Sequence, residues 1–195
     1  MENLTDRFIK KLEKENLIND DLGLLKIRYA LSAIKNETVK LVLLIVIFYW
    51  IGLLTPLFVT LLLIVPIRVT TGGLHFQSNI GCFMASLSFF LLSTAALPQL
   101  ALQRAVYTLI LLASVAAICI FPLAPSLKRP IISPKKYRLN KYLSILFALI
   151  VMNYLLCFVD NPQLFQCGIW ALCLQAIQLA YLAVIKNIRK DFLLD

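Results

Sequence analysis

Long stretches without a charged side chain dominate the hydrophobic pattern of this chain. Each of the five longest holds 18 to 28 residues, and an α-helix needs about 20 to cross a hydrocarbon core. None of them has the ten-residue alternation typical of an outer-membrane barrel. The pattern therefore predicts an all-α polytopic membrane protein. The five stretches run over residues 41–67, 76–103, 105–127, 142–159 and 161–185.

The last four stretches predict four full transmembrane helices, whereas the first contains a helix-breaking dipeptide, Thr55-Pro56. Proline removes a helical hydrogen bond and clashes with the preceding turn. The two halves, 41–54 and 57–67, would reach only about 21 and 16 Å as helices. We therefore predict a re-entrant or two-segment hydrophobic hairpin here, with a single tilted span as the alternative.

The charged N-terminal region, residues 1–38, repeats apolar side chains at the spacing of a helix face. This repeat predicts two amphipathic helices, one on either side of Gly23. Across residues 1–40, eight basic and seven acidic side chains nearly cancel, which favours a position on the cytoplasmic leaflet or against the bundle. The apolar positions are Leu4, Phe8 and Leu12 in the first helix and Leu24, Ile27, Leu31 and Ile34 in the second.

Composition and charge agree with a membrane protein and indicate its orientation. Hydrophobic residues make up 61% of the chain and charged residues 15%, against roughly 45–50% and 25% in soluble domains. Because six of the 19 basic residues lie within 128–141, we expect this loop in the cytoplasm. If 41–67 enters and returns, 18 of the 19 share that side, whereas a single span leaves no bias. The net charge of +9 thus follows topology and does not indicate nucleic-acid binding.

Counting crossings back from this basic loop places residues 68–79 on the cytoplasmic side as well. The C-terminus is expected on the same side. The predicted parts of the chain are N-terminal amphipathic helices (1–38), the hydrophobic hairpin or span (39–67), a cytoplasmic loop (68–79), a transmembrane bundle that contains the basic loop (80–185) and a cytoplasmic tail (186–195).

The polar stretch 68–82 collects the candidate catalytic groups, including the single histidine, His75. One histidine without a neighbouring carboxylate excludes a two-histidine zinc protease site, and we expect no metal. Asp160 is the only acid between residues 38 and 190, which argues against paired catalytic carboxylates. The sequence also lacks a Gly-Lys-Ser/Thr phosphate loop. These exclusions leave Cys82 as the candidate nucleophile.

Cys82 and His75 form a candidate thiol–imidazole pair, in which the imidazole removes the thiol proton. In one continuous helix they would lie about 10.5 Å apart along the axis, so the segment between them must bend. Ser78 or Asn79 fits the N-cap of the next helix, which places Cys82 in a first turn whose partial positive charge lowers a thiol pKa. From the residues alone, an apolar Cys82 and an interfacial His75 remain the alternative. The other cysteines are expected to be small apolar side chains: Cys119, Cys157, Cys167 and Cys173.

The same stretch carries an ordered motif: Arg68, Gly72, Gly73 and His75, followed by Cys82 at the start of a membrane helix. This motif resembles the signature of the AgrB family, the membrane endopeptidases of bacterial accessory gene regulator quorum-sensing systems. The charged N-terminal region and the total length agree with that family. Further agreement comes from Ala124-Pro125 and the following Lys128-Arg129-Pro130-Ile131, whereas Thr71, Leu74 and Phe76 depart from the family pattern.

The resemblance implies a cysteine endopeptidase of the bacterial cell membrane, acting at the cytoplasmic face on a short, membrane-associated precursor peptide. Family members remove the peptide's C-terminal tail, hold the remainder as a thioester and close a thiolactone ring. By position, Cys82 is the nucleophile and His75 the general base. Arg68 either binds substrate carboxylates or anchors a helix end, and Gly72 and Gly73 either turn the chain or donate N–H groups to an oxyanion. The resemblance implies no cofactor and suggests a homodimer.

The basic loop has two interpretations. Its positive charges set topology and contact anionic lipid, as such clusters commonly do at cytoplasmic helix ends. Alternatively, they also attract the acidic tail that the family's substrates carry. The six residues are Lys128, Arg129, Lys135, Lys136, Arg138 and Lys141.

Polar residues inside the predicted spans support a rival interpretation, a non-enzymatic membrane protein such as a small transporter, channel subunit or scaffold. These residues are Asn153, Gln175 and Gln178, and polar groups in spans often mark a pathway. None of them is charged, however, so we expect interhelical hydrogen bonds instead.

Overall fold

The computed structural model describes residues 21–74, 78–100, 102–124 and 133–191, and its helices follow the apolar stretches. Within these ranges there is no named strand, so the all-α class is confirmed. The α-helices are α1 (Asp21–Trp50), α2 (Leu54–Thr71), α3 (Asn79–Leu91), α4 (Arg104–Ile120), α5 (Pro134–Phe158) and α6 (Pro162–Asp191). A π-helical turn (Leu92–Ala96) and a 3₁₀ turn (Leu97–Gln99) continue α3.

Four of the described helical segments have the length and hydropathy needed to cross a membrane, which confirms a multi-pass membrane protein. Their mean hydropathy is 1.8 to 1.9 over the most apolar window. The helix α4, in the stretch 105–127 that was predicted as a full span, is shorter, with 17 residues, whereas α2, predicted as half of a hairpin, has 18. The four segments are Leu54–Thr71, Asn79–Gln99, Pro134–Phe158 and Pro162–Ile185.

The first apolar stretch is broken into two helices, and the break lies at Gly52 rather than at Thr55-Pro56. Gly52 has a φ of 72° and its N–H donates to Tyr49 O at 3.1 Å, while Leu53 N–H donates to Phe48 O at 2.9 Å. These two bonds form the Schellman motif that commonly ends helices at a glycine. Pro56 instead lies in the first turn of α2, where its missing N–H costs no helical bond. Because α2 begins at Leu54, it has 18 residues and reaches about 27 Å rather than 16 Å.

The chain divides into two compact units, residues 1–47 and 48–195. In the first unit, the described part is the α1 helix, which continues from the second predicted amphipathic segment into the apolar stretch without a break. An ion pair of 2.9 Å joins Lys40 and Glu37 on its surface. The first predicted amphipathic helix, with Leu4, Phe8 and Leu12, lies outside the described residues.

The second unit is organised around α6, which packs against α2, α3, α4, α5 and the π turn. A glycine allows α6 to approach two of these helices closely. A Cβ atom added at Gly168 would lie 2.6 Å from Leu155 Cδ2 on α5 and 3.1 Å from Leu63 Cδ1 on α2. Small residues let transmembrane helices approach in this way. The buried face of α6 consists of Phe165, Cys167, Gly168, Ile169, Ala171, Leu172, Gln175, Ala176 and Leu179.

Candidate active site

The candidate site begins where α2 ends, at the two adjacent glycines of the motif. Gly72 has φ 81° and ψ −161°, and its N–H donates to Arg68 O at 2.9 Å. This region of backbone space is accessible almost only to glycine. Gly72 therefore ends α2 and redirects the chain in a conformation that a residue with a side chain would adopt only under strain.

Gly73 is needed for space rather than for conformation. It is buried, and a Cβ atom added there would lie 3.3 Å from Gln178 Oε1 and 3.4 Å from Arg68 Nε. The distance to Gln178 Oε1 is tighter than most Cβ contacts, whereas the distance to Arg68 Nε is an ordinary van der Waals contact. The two glycines thus have separate structural roles, in addition to the turn that the sequence predicted.

The end of α2 is held from two sides by residues that are distant in sequence. Ala124 N–H donates to Thr71 O at 2.8 Å, which forms a parallel bridge between Gly72 and Ala124. From α6, Gln175 Nε2 donates to Thr71 Oγ1 and to Gly72 O, both at 2.9 Å. The residues before His75 are therefore joined both to the last helix and to the segment that follows α4.

Cys82 lies in the first turn of α3, as predicted. Ser78 is the N-cap, and its Oγ accepts a hydrogen bond of 3.0 Å from Gly81 N–H. Cys82 N–H donates to Ser78 O at 3.1 Å, and Ser86 Oγ donates to Cys82 O at 3.0 Å. The residue is half-buried, so its thiol is neither enclosed in the core nor fully in solvent. This position gives Cys82 the partial positive charge of a helix N-terminus.

His75 belongs to the 75–77 segment, which lies outside the described residues, so its pairing with Cys82 stays a prediction. Lys128 and Arg129 also lie outside them. Within the part of the chain that the structure describes, no group of three or more His, Cys, Asp or Glu side chains lies close enough together to hold a metal ion.

The guanidinium of Arg68 lies against the first membrane helix after the loop. Its Cζ is 5.4 Å from the centroid of the Phe89 ring on α3, within the range of a cation–π contact. The Arg68 side chain also lies beside Gly73, where its Nε would be 3.4 Å from an added Cβ atom. Arg68 thus bridges the motif to α3, whichever role it has toward substrate.

The basic residues of the 128–141 loop divide into two groups in the described part of α5. Lys135, Lys136 and Arg138 are exposed. Lys141 is half-buried, and its Nζ donates to Phe121 O and, at 2.8 Å, to Ile118 O. A lysine ammonium on the last carbonyls of a helix satisfies acceptors that have no intrahelical partner and complements the helix dipole. Lys141 therefore caps α4.

Two cavities of about 460 and 200 Å³ are found away from this site. Both are lined by Pro162 and Gln166 at the beginning of α6. Along the helix, Pro162 lies about 20 Å from Gln175. Neither cavity is lined by a residue of the motif.

Sequence analysis placed Gln175 among interhelical polar residues, and its bonds to α2 confirm that interpretation. It did not connect Gln175 or Ala124 with the motif. The available signal was a pair of glutamines three residues apart, Gln175 and Gln178, on one face of an otherwise apolar helix.

Comparison with known proteins is consistent with this site. The family model for Accessory gene regulator B matches residues 5–179, a range that includes the motif and both glutamines. A curated protein of Clostridium beijerinckii, named only as AgrB-like, is 26% identical over 157 residues, which cover 79% of this chain and 75% of the relative. No solved structure matches. Members of the matched family are involved in the processing of autoinducing peptides. The chain, with its motif at the end of α2 and its cysteine in the first turn of α3, belongs to the AgrB family.

Proposed function

We propose that this protein is a membrane cysteine endopeptidase that removes the C-terminal tail of a quorum-sensing precursor peptide and closes the remainder into a thiolactone. The observation that carries the proposal is the position of Cys82. Its half-buried thiol occupies the first turn of a helix capped by Ser78, seven residues after the single histidine, in a chain of the AgrB family.

The first step is cleavage of the precursor. His75 accepts the thiol proton, and the Cys82 thiolate attacks the carbonyl carbon of the scissile amide. When the C–N bond breaks, the imidazolium returns the proton to the leaving amine. The tail departs with a new N-terminus, and the remainder of the peptide stays bound to Cys82 as a thioester.

The second step is closure of the ring. A thiolate of a cysteine within the peptide attacks the thioester carbonyl, and the bond from that carbonyl to the Cys82 sulfur breaks. One thioester replaces another, so the exchange is nearly balanced in energy and needs neither an oxidant nor a cofactor. Formation of the first thioester from an amide is uphill in energy, so the departure of the tail must draw the cleavage step forward.

The groups around Cys82 suit this chemistry. Water must be excluded while the acyl-enzyme waits for ring closure, and the membrane boundary at the start of α3 favours that exclusion. The exposed cations Lys135, Lys136 and Arg138 would attract an acidic peptide tail, with Lys128 and Arg129 as further candidates. Lys141 is the least suited of the six, since its ammonium is already bound to α4.

The proposed site faces the cytoplasm. This orientation follows from the basic residues in the first turns of α5 and in the segment before it, which the positive-inside rule assigns to the cytoplasm. Two apolar helical segments, α3 with its continuing turns and α4, separate the basic loop from the motif. Two crossings return the chain to the same side. The motif and the basic cluster would then meet a precursor peptide together.

A carrier or channel is less well supported than an enzyme. Two of the three polar residues that suggested a pathway are engaged in local structure: both N–H donors of Gln175 bind the end of α2, and Asn153 Oδ1 accepts a weak bond of 3.9 Å from Cys157 Sγ within α5. Interhelical and intrahelical bonds of this kind are common in membrane bundles.

The proposal is tested by replacing the predicted pair in protein reconstituted into vesicles, with a precursor peptide that carries an internal cysteine and an acidic tail as substrate. We expect Cys82→Ala to abolish tail cleavage and His75→Ala to lower the rate by about 10²-fold or more, the usual effect of losing a general base. Cys82→Ser retains the geometry but removes the thiolate, so it should also be inactive. Mass spectrometry reports the released tail and the ring.

The matched control is Cys157→Ala, which changes an exposed cysteine on α5 and should leave the rate unchanged. Full activity in Cys82→Ala or His75→Ala would refute the assignment of the pair. Loss of activity in the Cys157 variant would show that the assay reports folding rather than catalysis.

A further inference from the structure

Gln175 is a polar side chain placed in the middle of an apolar, fully buried helix face. Its relative exposure is 0%, like that of Ala171 one turn earlier on the same face. Both N–H donors of its amide are used, one on Thr71 Oγ1 and one on Gly72 O. Its contacts therefore lead directly to the motif of the candidate active site.

The acceptors determine how the amide is oriented. Gly72 O can only accept a hydrogen bond, so the nitrogen end of the amide must face it. Thr71 Oγ1 already donates to Ile67 O at 2.8 Å and so has a lone pair available for the second N–H of Gln175. The choice of Nε2 over Oε1 at this position thus follows from chemistry as well as from geometry.

The opposite end of the amide indicates why a glutamine is present. Gln175 Oε1 is buried and has no hydrogen-bond partner in the described part of the chain. A buried acceptor left unpaired lowers stability, and a methionine would fill a similar volume without that cost. If position 175 served packing alone, an apolar side chain there would give a more stable protein. The advantage of Gln175 lies in the two bonds it donates.

Those two bonds act on the point where the chain leaves α2 for His75. Gly72 adopts φ 81° there, a conformation open to glycine, and a flexible glycine needs neighbouring contacts to fix which path the chain takes. Ala124 N–H binds the neighbouring carbonyl, Thr71 O. Both successive carbonyls, of Thr71 and Gly72, are therefore fixed by groups more than fifty residues away along the chain.

We propose that Gln175 is a positioning residue: by binding Thr71 and Gly72 it sets the path of the chain toward His75 and so the alignment of the imidazole with Cys82. This inference rests on the proposed function. Gln175 does not contact the reacting atoms, and its effect is exerted through the backbone of the loop. It should therefore govern the rate of the chemical step more than the binding of the peptide.

The test uses full-length protein in vesicles, with Cys82 as the sole cysteine. The rate at which iodoacetamide alkylates Cys82 is measured against pH in the parent, in His75→Ala, in Gln175→Met and in the double variant. A thiol paired with an imidazole reacts at a lower pH than a free thiol, whose pKa is about 8.5. We expect Gln175→Met to move the profile toward that of His75→Ala, and the double variant to match His75→Ala.

Kinetics with the precursor peptide provide the second readout. For Gln175→Met we expect kcat for tail cleavage to fall by about tenfold or more while KM changes by less than about twofold, since the lost contact acts on the chemical step. Thr71→Val removes one of the two acceptors but leaves Gly72 O, so its loss of kcat should be smaller. Asn153→Leu is the control, a polar residue within a span that does not contact the motif, and it should behave as the parent.

The outcomes separate this inference from the proposed function. A parental profile and a parental kcat in both Gln175→Met and Thr71→Val would overturn the positioning role while leaving the endopeptidase intact. Additive losses in the double variant would also overturn it, because they would show that Gln175 acts on stability and not through His75. An alkylation profile that His75→Ala does not alter would refute the catalytic pair itself, and the positioning role with it.

Discussion

At the scale of single residues, two adjacent glycines serve the same loop for different physical reasons. Gly72 provides a backbone conformation at φ 81°, whereas Gly73 provides space beside Gln178 and Arg68. Sequence alone assigned both to the same turn. The distinction matters because strain in the backbone cannot be relieved by a neighbour, while a crowded side chain can move.

This distinction predicts different effects for the two alanine substitutions. Gly72→Ala should lower the free energy of unfolding by about 1–3 kcal/mol, the cost of forcing a side-chain-bearing residue into this region. Gly73→Ala should cost less, since the crowding atoms belong to the ends of flexible side chains. Thermal unfolding in detergent and the rate of tail cleavage measure both effects.

A second substitution tests the cause. Adding Gln178→Ala should restore much of the stability lost in Gly73→Ala, because it removes the closest atom, Gln178 Oε1. The same addition should not rescue Gly72→Ala. Rescue of both variants, or of neither, would contradict the separate roles assigned here.

At the scale of elements, the beginning of α5 carries three exposed cations where a helix dipole favours acids. Lys135, Lys136 and Arg138 lie in the first turns of this helix, next to its partially positive N-terminus. Their placement does not stabilise the helix, so another interaction must account for it. Two explanations are available: the three cations orient the protein in the membrane, or they attract an acidic ligand. Lys141 is not one of these exposed cations, because its ammonium caps α4.

Replacing the three exposed cations by glutamine should therefore affect binding and not the chemical step. If they attract an acidic tail, KM rises and its dependence on salt flattens, while kcat changes little. Salt screens surface charges over about 8–10 Å at physiological ionic strength. In the parent, therefore, added salt should weaken the attraction of the acidic tail and raise KM. KM is measured at two salt concentrations in parent and variant. An unchanged KM would assign these residues to topology alone.

Lys141→Met is the matched comparison on the same helix. It leaves two carbonyls at the end of α4 without their donor, at a cost of about 1–3 kcal/mol in the free energy of unfolding. We expect a lower unfolding temperature and an unchanged salt dependence of KM. The variant with glutamine at positions 135, 136 and 138 should instead keep the parental unfolding temperature and show a flattened salt dependence of KM.

At the scale of the whole molecule, the break at Gly52 bears on the number of crossings. The first apolar stretch forms two helices, and α2 with 18 residues is long enough to cross the core by itself. An entry and return in this region would place the N-terminal region on the same side as the basic loop. The charge distribution favours that arrangement, since 18 of the 19 basic residues then share one side.

Thiol labelling in intact cells tests this topology. In a background without native cysteines, a cysteine placed at residue 5 should be shielded from an impermeant reagent and should react only after permeabilisation. A cysteine replacing Asp160, which is exposed in the turn between α5 and α6, should react from outside. Labelling of residue 5 from outside would instead support the single span.

The sequence by itself determined the features that depend on residues close together along the chain. Charge-free stretches predicted the membrane helices because burial in lipid requires continuous apolar segments. The N-cap was predicted at Ser78 or Asn79, because the side chain that caps a helix lies within three residues of the N–H that it binds, and Ser78 is the residue that caps α3. A break in the stretch 41–67 was predicted at Thr55-Pro56 and lies at Gly52 instead, since proline is tolerated in a first turn and glycine ends a helix more effectively.

Only the tertiary structure decided which distant groups meet at the motif. Gln175 binds Thr71 and Gly72 across more than a hundred residues of chain, and Lys141 binds the end of α4 across 20 and 23 residues. The need for glycine at position 73 likewise arises from Gln178 on another helix. Such pairings depend on how helices pack, and an apolar stretch looks the same in sequence whichever neighbour its polar positions face.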